Sequence, residues 1–247
     1  MSSLDPVAAA PVGVFAYVRR DGTPNAVPVT PFVVGGNVVV TSTLAYVAKA
    51  AAVRRDPRVA LLAGGVHLAT TATVTVDPTP AWFNTHIRAD EINKFPPTRQ
   101  FLQIPFHECL FPWYSARVII ELAPADPVPV VGADRATVTS LDPSGRPRIT
   151  PVTGDVDPGA ERIRLEGTAD GPAMVLVHEE SDDMAELRQL SLLVTVRDGH
   201  LTVTARHGTL VPRPATARTQ VATVRSMARQ ARTNRPLIAG WPRARVS

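Results

Sequence analysis

The sequence predicts a mostly β protein with minor α, in which one antiparallel β unit is built twice within a single chain of 247 residues. Three observations carry that prediction. Two stretches nearly repeat, GTPNAVPVT at 22–30 and GRPRITPVT at 145–153, so that Gly22, Pro24, Pro28, Val29 and Thr30 are matched by Gly145, Pro147, Pro151, Val152 and Thr153. Each stretch sits in the same succession of strand-forming runs and glycine-bearing turns. The 24 prolines divide the chain into short segments, as closely spaced strands require.

In order along the first half, residues 12–43 read as strand, turn, strand, turn, strand. Val14, Phe15, Tyr17 and Val18 are strand formers, and RRDGTP and VGGN supply the turns. Pro24 and Pro28 cannot donate to a sheet ladder, so their strand lies at an edge, at a bulge or against a ligand. LAYVAKAAAVRR (44–55) is a short alanine-rich helix with Val47 and Val53 near one face. DPRVALLAGG and VHLATTATVTVD are two further strands. Residues 78–115 hold most of the aromatic residues and read as short helices and a loop, a lid or flap. SARVIIELAP returns to strand, and the proline-rich 123–133 is a connector.

The second half repeats strand, turn, strand, turn, strand, with RIRLEGT (162–168) opposite NVVVTST (37–43). GPAMVLV (171–177) then falls opposite DPRVALL (56–62), so about ten residues are missing, and these are the short helix. LSLLVTVRDGHLTVTA is a closing hairpin. TARTQVATVRSMARQAR (216–232) is an amphipathic helix with Val221, Val224, Met227 or Ala228, and Ala231 on one stripe. The expected units are a first lobe over 1–122, a linker over 123–133, a second lobe over 134–210, and a basic helix and tail over 211–247.

Composition narrows the function. Cys109 is the only cysteine, which excludes an internal disulfide; it reads as a small buried apolar residue. No apolar run approaches the ~20 residues of a membrane span, and the N-terminus has no basic region followed by an apolar block, so a cytoplasmic protein is expected. The formal charge is +4, yet residues 199–247 carry nine arginines and no acid. Arg218, Arg225, Arg229 and Arg232 fall on one face of the last helix, opposite the apolar stripe. Without a recognition motif or stacking aromatics, that face reads as the solvated side of a docked helix rather than a nucleic-acid surface. The six histidines show no metal spacing; His178 beside Glu179 and Glu180 is the one hint of a metal or haem role. No catalytic triad is found.

One constellation points to chemistry. Thr41, Ser42 and Thr43 end a strand, and Lys49 follows on the short helix, with Arg54 and Arg55 at its end. Hydroxyls and backbone N–H groups at a strand-to-helix turn, with a cation beside them, make an anion site. Only Lys49 and Lys94 are lysines, against 24 arginines. The second copy has LEGT where the first has VTST, and lacks the lysine.

The run RRDGTPNAVPVTPFVVGGNVVVTSTLAYVAKAAAVRRDPRVALL resembles the flavin- and deazaflavin-binding split β-barrel family, whose named member is pyridoxamine 5'-phosphate oxidase. The matching pattern is an R-x-D-G-x-P turn, a proline-flanked strand, a strand ending in small hydroxyls, a lysine on a short helix, then D-P-R-V and a strand. It covers 12–76 and extends to 116–122; GPAMVLVHEE in the second half resembles the repeat of two-lobed members. The resemblance implies a split β-barrel, duplicated in one chain, binding FMN, a deazaflavin coenzyme or, less readily, haem. It implies that Val29 and Thr30 lie along the ring, that Thr41, Ser42 and Thr43 meet phosphate or ribityl oxygens, and that Lys49, assisted by Arg55, is the phosphate cation. Trp82, Phe111, Trp113 and Tyr114 would wall a substrate pocket. The implied activity is hydride transfer to or from a small organic substrate, with NAD(P)H a potential partner and a homodimer an option; the alternative is a non-catalytic binding or scavenging protein.

Overall fold

The computed structural model describes residues 3–95, 97–132, 135–152, 162–164, 170–181, 186–212 and 217–245. Helix α1 (Asp5–Ala9) precedes strands β1 (Gly13–Val18), β2 (Pro24–Val29), β3 (Pro31–Val34) and β4 (Asn37–Thr43). Helix α2 (Ala48–Arg55) leads into β5 (Arg58–Ala63) and β6 (Val66–Asp77). Five short helices follow, α3 (Ala81–His86), α4 (Arg88–Lys94), α5 (Pro97–Leu102), α6 (His107–Leu110) and α7 (Pro112–Ser115). Then come β7 (Arg117–Leu122) and the two-residue β8 (Val128–Pro129). The second half supplies β9 (Ala136–Leu141), β10 (Pro147–Pro151), β11 (Arg162–Arg164), β12 (Gly171–Glu180), β13 (Leu187–Arg197) and β14 (His200–Thr209), and α8 (Ala217–Ile238) follows.

The protein is mostly β, as expected, and its strands form two antiparallel sheets. The first runs β2-β1-β5-β6-β7-β4-β3, with β8 added to β6; the second runs β10-β9-β12-β13-β14-β11. Strand for strand, the second order repeats the first six positions of the first. The proline strands β2 and β10 both lie at edges, where a missing N–H costs no ladder bond. The predicted single strand after the first turn is two strands. The chain breaks at Thr30, so that β2 pairs β1 while β3 pairs β4 at the opposite edge. One residue thus joins the two edges, and the sheet curls into a split barrel around a core that includes Phe15, Val40, Leu61 and Val118.

The repeated stretches occupy one hairpin geometry. Val18 faces Pro24, Ala16 faces Ala26 and Val14 faces Pro28, as Leu141 faces Pro147, Thr139 faces Ile149 and Thr137 faces Pro151. The turns share their backbone bonds: Arg19 N–H donates to Thr23 O and Gly22 N–H to Arg19 O, as Asp142 N–H donates to Arg146 O and Gly145 N–H to Asp142 O. Gly22 and Gly145 sit at φ +80° and +76°, a left-handed conformation that strains residues with a Cβ. The side-chain support differs, Asp21 accepting from Thr23 in one turn and Asp142 from Ser144 and Arg146 in the other. On the next strand the register corrects the sequence alignment by one residue. Ala60 and Met174 hold equivalent positions, paired to Ala16 and Thr139.

The sheets pack face to face as a pseudo-twofold pair. β2 lies against β12 as β10 lies against β5, and β1 against β10 as β9 against β2. Val14, Ala16, Ala26, Ala60 and Leu62 meet Ile149, Met174 and Leu176 there. Small residues on the first sheet face large ones on the second: Ala26 N–H lies 3.1 Å from Met174 Sδ. Arg58 adds a polar latch, bidentate on Asp56 and donating to Ser144 O at 2.8 Å.

The 78–115 insert is a packed layer rather than a free flap. Trp82, Phe83, Ile87 and Leu102 bury against Phe32, Val39 and Ile119 on the outer face of β3, β4 and β7. Cys109 is exposed, contrary to its reading as a core residue, because α6 sits on the outside of this layer. In the second sheet the corresponding connection is only Asp198–Gly199. The C-terminal helix runs to Ile238, beyond the predicted Arg232 and past Pro236. Ala231 and Ile238 bury in the first-lobe core and Val224, Met227 and Ala228 pack at its margin, while Val221 is half exposed and leaves the predicted stripe. Arg225, Arg229 and Arg232 face outwards; the Arg218 side chain, Thr153 and the LEGT segment (165–168) lie outside what is described. No described helix is long and apolar enough to cross a membrane.

Candidate functional site

β4 ends at Thr43 and the chain turns through Leu44, Ala45 and Tyr46 into α2. The turn is tied by Leu44 N–H donating to Trp113 O at 3.3 Å and Tyr46 N–H donating to Thr43 O at 3.0 Å. Leu44, Ala45 and Val47 are buried while Tyr46 stays exposed. The residue before α2 is Val47, and no side chain caps the helix, so the Thr41–Thr43 hydroxyls do not serve as its N-cap. The first N–H groups of a helix have no partners of their own.

Lys49 is the second residue of α2 and is half buried. Burial alone pulls its ammonium down to about 8, with no carboxylate or other charge contributing. Among the described residues nothing accepts a hydrogen bond from Nζ or forms an ion pair with it. Lys94, the other lysine, is also pulled down to about 8, by burial offset by Asp90. Its Nζ is committed, donating to Pro31 O at 2.5 Å above the Phe32 ring. The two lysines therefore differ in the property a ligand would need.

The hydroxyls divide between two faces of β4. Side chains alternate along a strand, and Ser42 pairs with Val118 of the barrel core whereas Thr43 pairs with Arg117 and Thr41 with Ile119 of the insert side. The β3–β4 register, Pro31 against Val40, brings Thr30 to the strand end beside Thr41. Ser42 Oγ and Thr43 Oγ1 are buried without a hydrogen-bond partner, as are Trp113 Nε1, Ser115 Oγ and Arg117 Nη1. Every one of these atoms can donate. Buried polar atoms are normally paired; here the unpaired donors fall on both sides of β4, Ser42 and Trp113 on the barrel-core side and Thr43 and Arg117 on the insert side.

Several expected site residues fall elsewhere. Val29 is buried in the barrel core, so its side chain does not line a ring site. Arg55 is exposed at the far end of α2, roughly 9 Å along the axis from Lys49, and donates to Val18 O at 3.4 Å. Arg54 lies over the Trp241 ring. Of the four aromatic residues, Trp113 meets both Phe111 and Tyr114 edge-on, with ring centroids 6.5 and 6.0 Å apart, whereas the ring contact of Trp82 is with His86. Trp82 packs under the insert, and Phe111 and Tyr114 cluster with Phe101. Trp113 turns its ring into the barrel core beside the turn.

Sequence reasoning missed Arg117. It is 2% exposed, its Nη2 reaches both Glu91 oxygens at 2.9 and 3.1 Å, and its guanidinium lies over Phe83. Tyr114 OH is hydrogen-bonded to Thr98 Oγ1 at 2.8 Å and lies 3.4 Å from Glu91 Oε1, to which it donates, and burial with the Glu91 charge pushes it up to about 12. The one available signal was a charge inside an otherwise apolar strand, ARVIIEL. His178 is buried on β12 with Nδ1 3.4 Å from Glu180, remote in sequence from Lys49. No group of three or more metal-ligating side chains occurs among the described residues.

No family model and no curated protein matches the chain. Solved structures are similar to it. One is a putative pyridoxamine 5'-phosphate oxidase from Listeria innocua, 21% identical, covering 51% of this chain and 93% of its own, with a TM-score of 0.35. A pyridoxamine 5'-phosphate oxidase-related, FMN binding protein from Nostoc punctiforme is 12% identical over 62% of this chain and 93% of its own, TM-score 0.32. A heme binding protein from Mycobacterium smegmatis is 17% identical over 94% of this chain and 98% of its own, TM-score 0.33.

Proposed function

We propose that the first lobe binds a phosphorylated flavin-type cofactor, FMN or its deazaflavin relative, and that the protein is an oxidoreductase acting on a small organic molecule, with NAD(P)H a candidate reductant. The observation that carries this reading is Lys49, half buried, its ammonium pulled down to about 8 and without a partner among the described residues, six residues beyond a strand end whose Ser42 and Thr43 hydroxyls are buried and unpaired. A partly desolvated cation without a counter-charge carries a cost, and a phosphate would relieve it. Such a cofactor, when bound, supplies hydride transfer. This chain's residues do the rest: Lys49 neutralises the phosphate, Ser42 and the Trp113 N–H donate to its oxygens or the ribityl chain, and Thr30, Thr41 and Thr43 offer hydroxyls on the other face of the strand. The two lobes, 1–122 and 134–210, act as copies of one unit, each giving the other the face that a homodimer would share.

A second reading is a non-catalytic binding or scavenging protein for flavin, deazaflavin or haem. It is favoured by one observation: the second lobe passes from β11 to β12 in six residues, with no counterpart of the Lys49 helix, so half of the duplicated unit has lost the phosphate cation. The absorption spectrum of the purified protein, followed by titration with FMN and riboflavin and anaerobic mixing with NADPH, tests both. Lys49→Ala is expected to weaken FMN about ten- to a hundredfold, the scale of a lost charge-assisted contact, and to change riboflavin less than threefold. Equal losses for both ligands overturn the phosphate site. Binding without reduction of any acceptor supports the second reading.

A further inference from the structure

We infer that Asn234 is a positioning residue for the Lys49 site, and that the C-terminal helix holds the β4–α2 turn in its ligand-ready shape. The affinity arm of this inference rests on the proposed cofactor reading; the geometry stands by itself. The Asn234 amide donates to Leu44 O at 2.9 Å and to Ala45 O at 3.2 Å. An amide NH2 has two hydrogens, so one side chain satisfies two successive carbonyls of the turn.

The helix is fixed on either side of that contact. Ala231 and Ile238, about one turn before and after, are buried in the first-lobe core. Beyond them Trp241 enters the same core, and the Arg54 guanidinium sits 4.9 Å from its ring centre. α8 and its continuation therefore touch both ends of α2: Asn234 at the turn that starts it, Trp241 at the arginine that ends it.

α2 has little of its own to set where it begins. It has eight residues, no side-chain cap and no acid in its first turn. Isolated helices of that length are unstable in water, and a missing cap costs about 1 kcal/mol. Its entry is defined instead by the fork from Asn234 and by the Leu44 N–H bond to Trp113 O. Four residues after the clamped Ala45 stands Lys49, so a shift of the turn moves the ammonium.

Asn234→Ala and Asn234→Asp in the full chain test this. The Asp variant keeps the shape and replaces two donors with acceptors facing two carbonyls. The first readout is ligand-free: the pH profile of amine acylation at Lys49 by acetic anhydride, resolved by peptide mass spectrometry, with Lys94 as internal control. The chain has only these two lysines. In both variants the Lys49 midpoint should rise from about 8 towards the ordinary lysine value while Lys94 stays put, and amide exchange over 44–51 should quicken at least fivefold. FMN should weaken at least fivefold with riboflavin within twofold, and Asn234→Gln should recover part of it. A Lys49 profile unchanged in both variants, or a Lys94 profile moving by the same amount, overturns the inference. If the wild-type chain binds no FMN but the Lys49 profile shifts as stated, the cofactor reading falls and the clamp stands. Should the Ala variant not fold, the Asp and Gln variants decide by the same profile.

Discussion

The two lobes share strand order over six positions, hairpin register, turn hydrogen bonds and mutual contact, and two of their connections differ sharply in length. Between β4 and β5 the first lobe has fourteen residues, 44–57, including α2 and Lys49; between β11 and β12 the second has six, 165–170. Between β6 and β7 the first lobe has the five-helix insert; between β13 and β14 the second has Asp198–Gly199. The strands that pack lobe on lobe are kept in both, while the connection that bears Lys49 and the five-helix insert are found in one. Packing constrains the sheets equally from both sides. A ligand site constrains only the lobe that holds it.

Four measurements would break or sharpen that contrast. The largest effect is expected at the insert. Glu91→Gln leaves the nearly inaccessible Arg117 guanidinium without its counter-charge, and stability should fall by about 3–5 kcal/mol in urea unfolding. A loss below about 1 kcal/mol would mean that the insert is only loosely attached to the first sheet. Next comes the contact between lobes. Met174→Ala opens a hole opposite Ala26, and about 2–4 kcal/mol should go; a smaller change would show that the sheets can close together.

The third measurement is pH dependence. Lys49 titrates near 8 in the folded chain, below its ordinary value. Between the two values the unfolded chain binds more protons, so stability without ligand should rise with pH through that window, with Lys94 adding in the same direction. A bound phosphate favours the ammonium, so FMN affinity should fall as pH climbs above about 8, by at most about tenfold per pH unit. Lys49→Ala should flatten that profile; a wild-type profile flat from pH 7 to about 10 would separate Lys49 from phosphate binding. The smallest effect compares the two turns. Gly22→Ala meets nothing within 4 Å and should cost about 1 kcal/mol for its positive φ. The Cβ of Gly145→Ala would lie 2.5 Å from Arg58 Nη1 and should cost more, by about the worth of the Arg58–Ser144 bond. Equal costs would show that this latch contributes nothing.

Much of the barrel could be read from local chemistry. Asp-Gly and Gly-Gly turns, proline at strand edges and the near-repetition of 22–30 at 145–153 are all short-range signals, and they located both hairpins and the missing helix. Thr30 was misread as mid-strand because a break that sends a strand to the opposite edge leaves no local mark in VPVTPF. The one-residue correction at Ala60 and Met174 has a similar source, since register depends on pairing with β1 and β9. The placing of Lys49 on a helix just after the Thr41–Thr43 strand end was legible because these residues sit close together in sequence. Asn234 was not, for its partners lie 189 and 190 residues away, and neither was the Glu91–Arg117 pair, which joins a helix to a strand. The directions of Val29, Arg55 and Trp82 were not legible, because residue type alone does not tell which way a side chain points.

The unequal side chains between the sheets bear on how chains avoid one another during synthesis. If two molecules fold side by side, a first lobe meeting another first lobe would set alanine against alanine at 26 and 60 and leave a gap. Two second lobes would force Ile149 upon Met174. Each half is therefore a poor mate for its own kind and a good one for its tethered sibling. Like halves of neighbouring molecules would thus meet with a gap or a clash at the surface where unlike halves interlock.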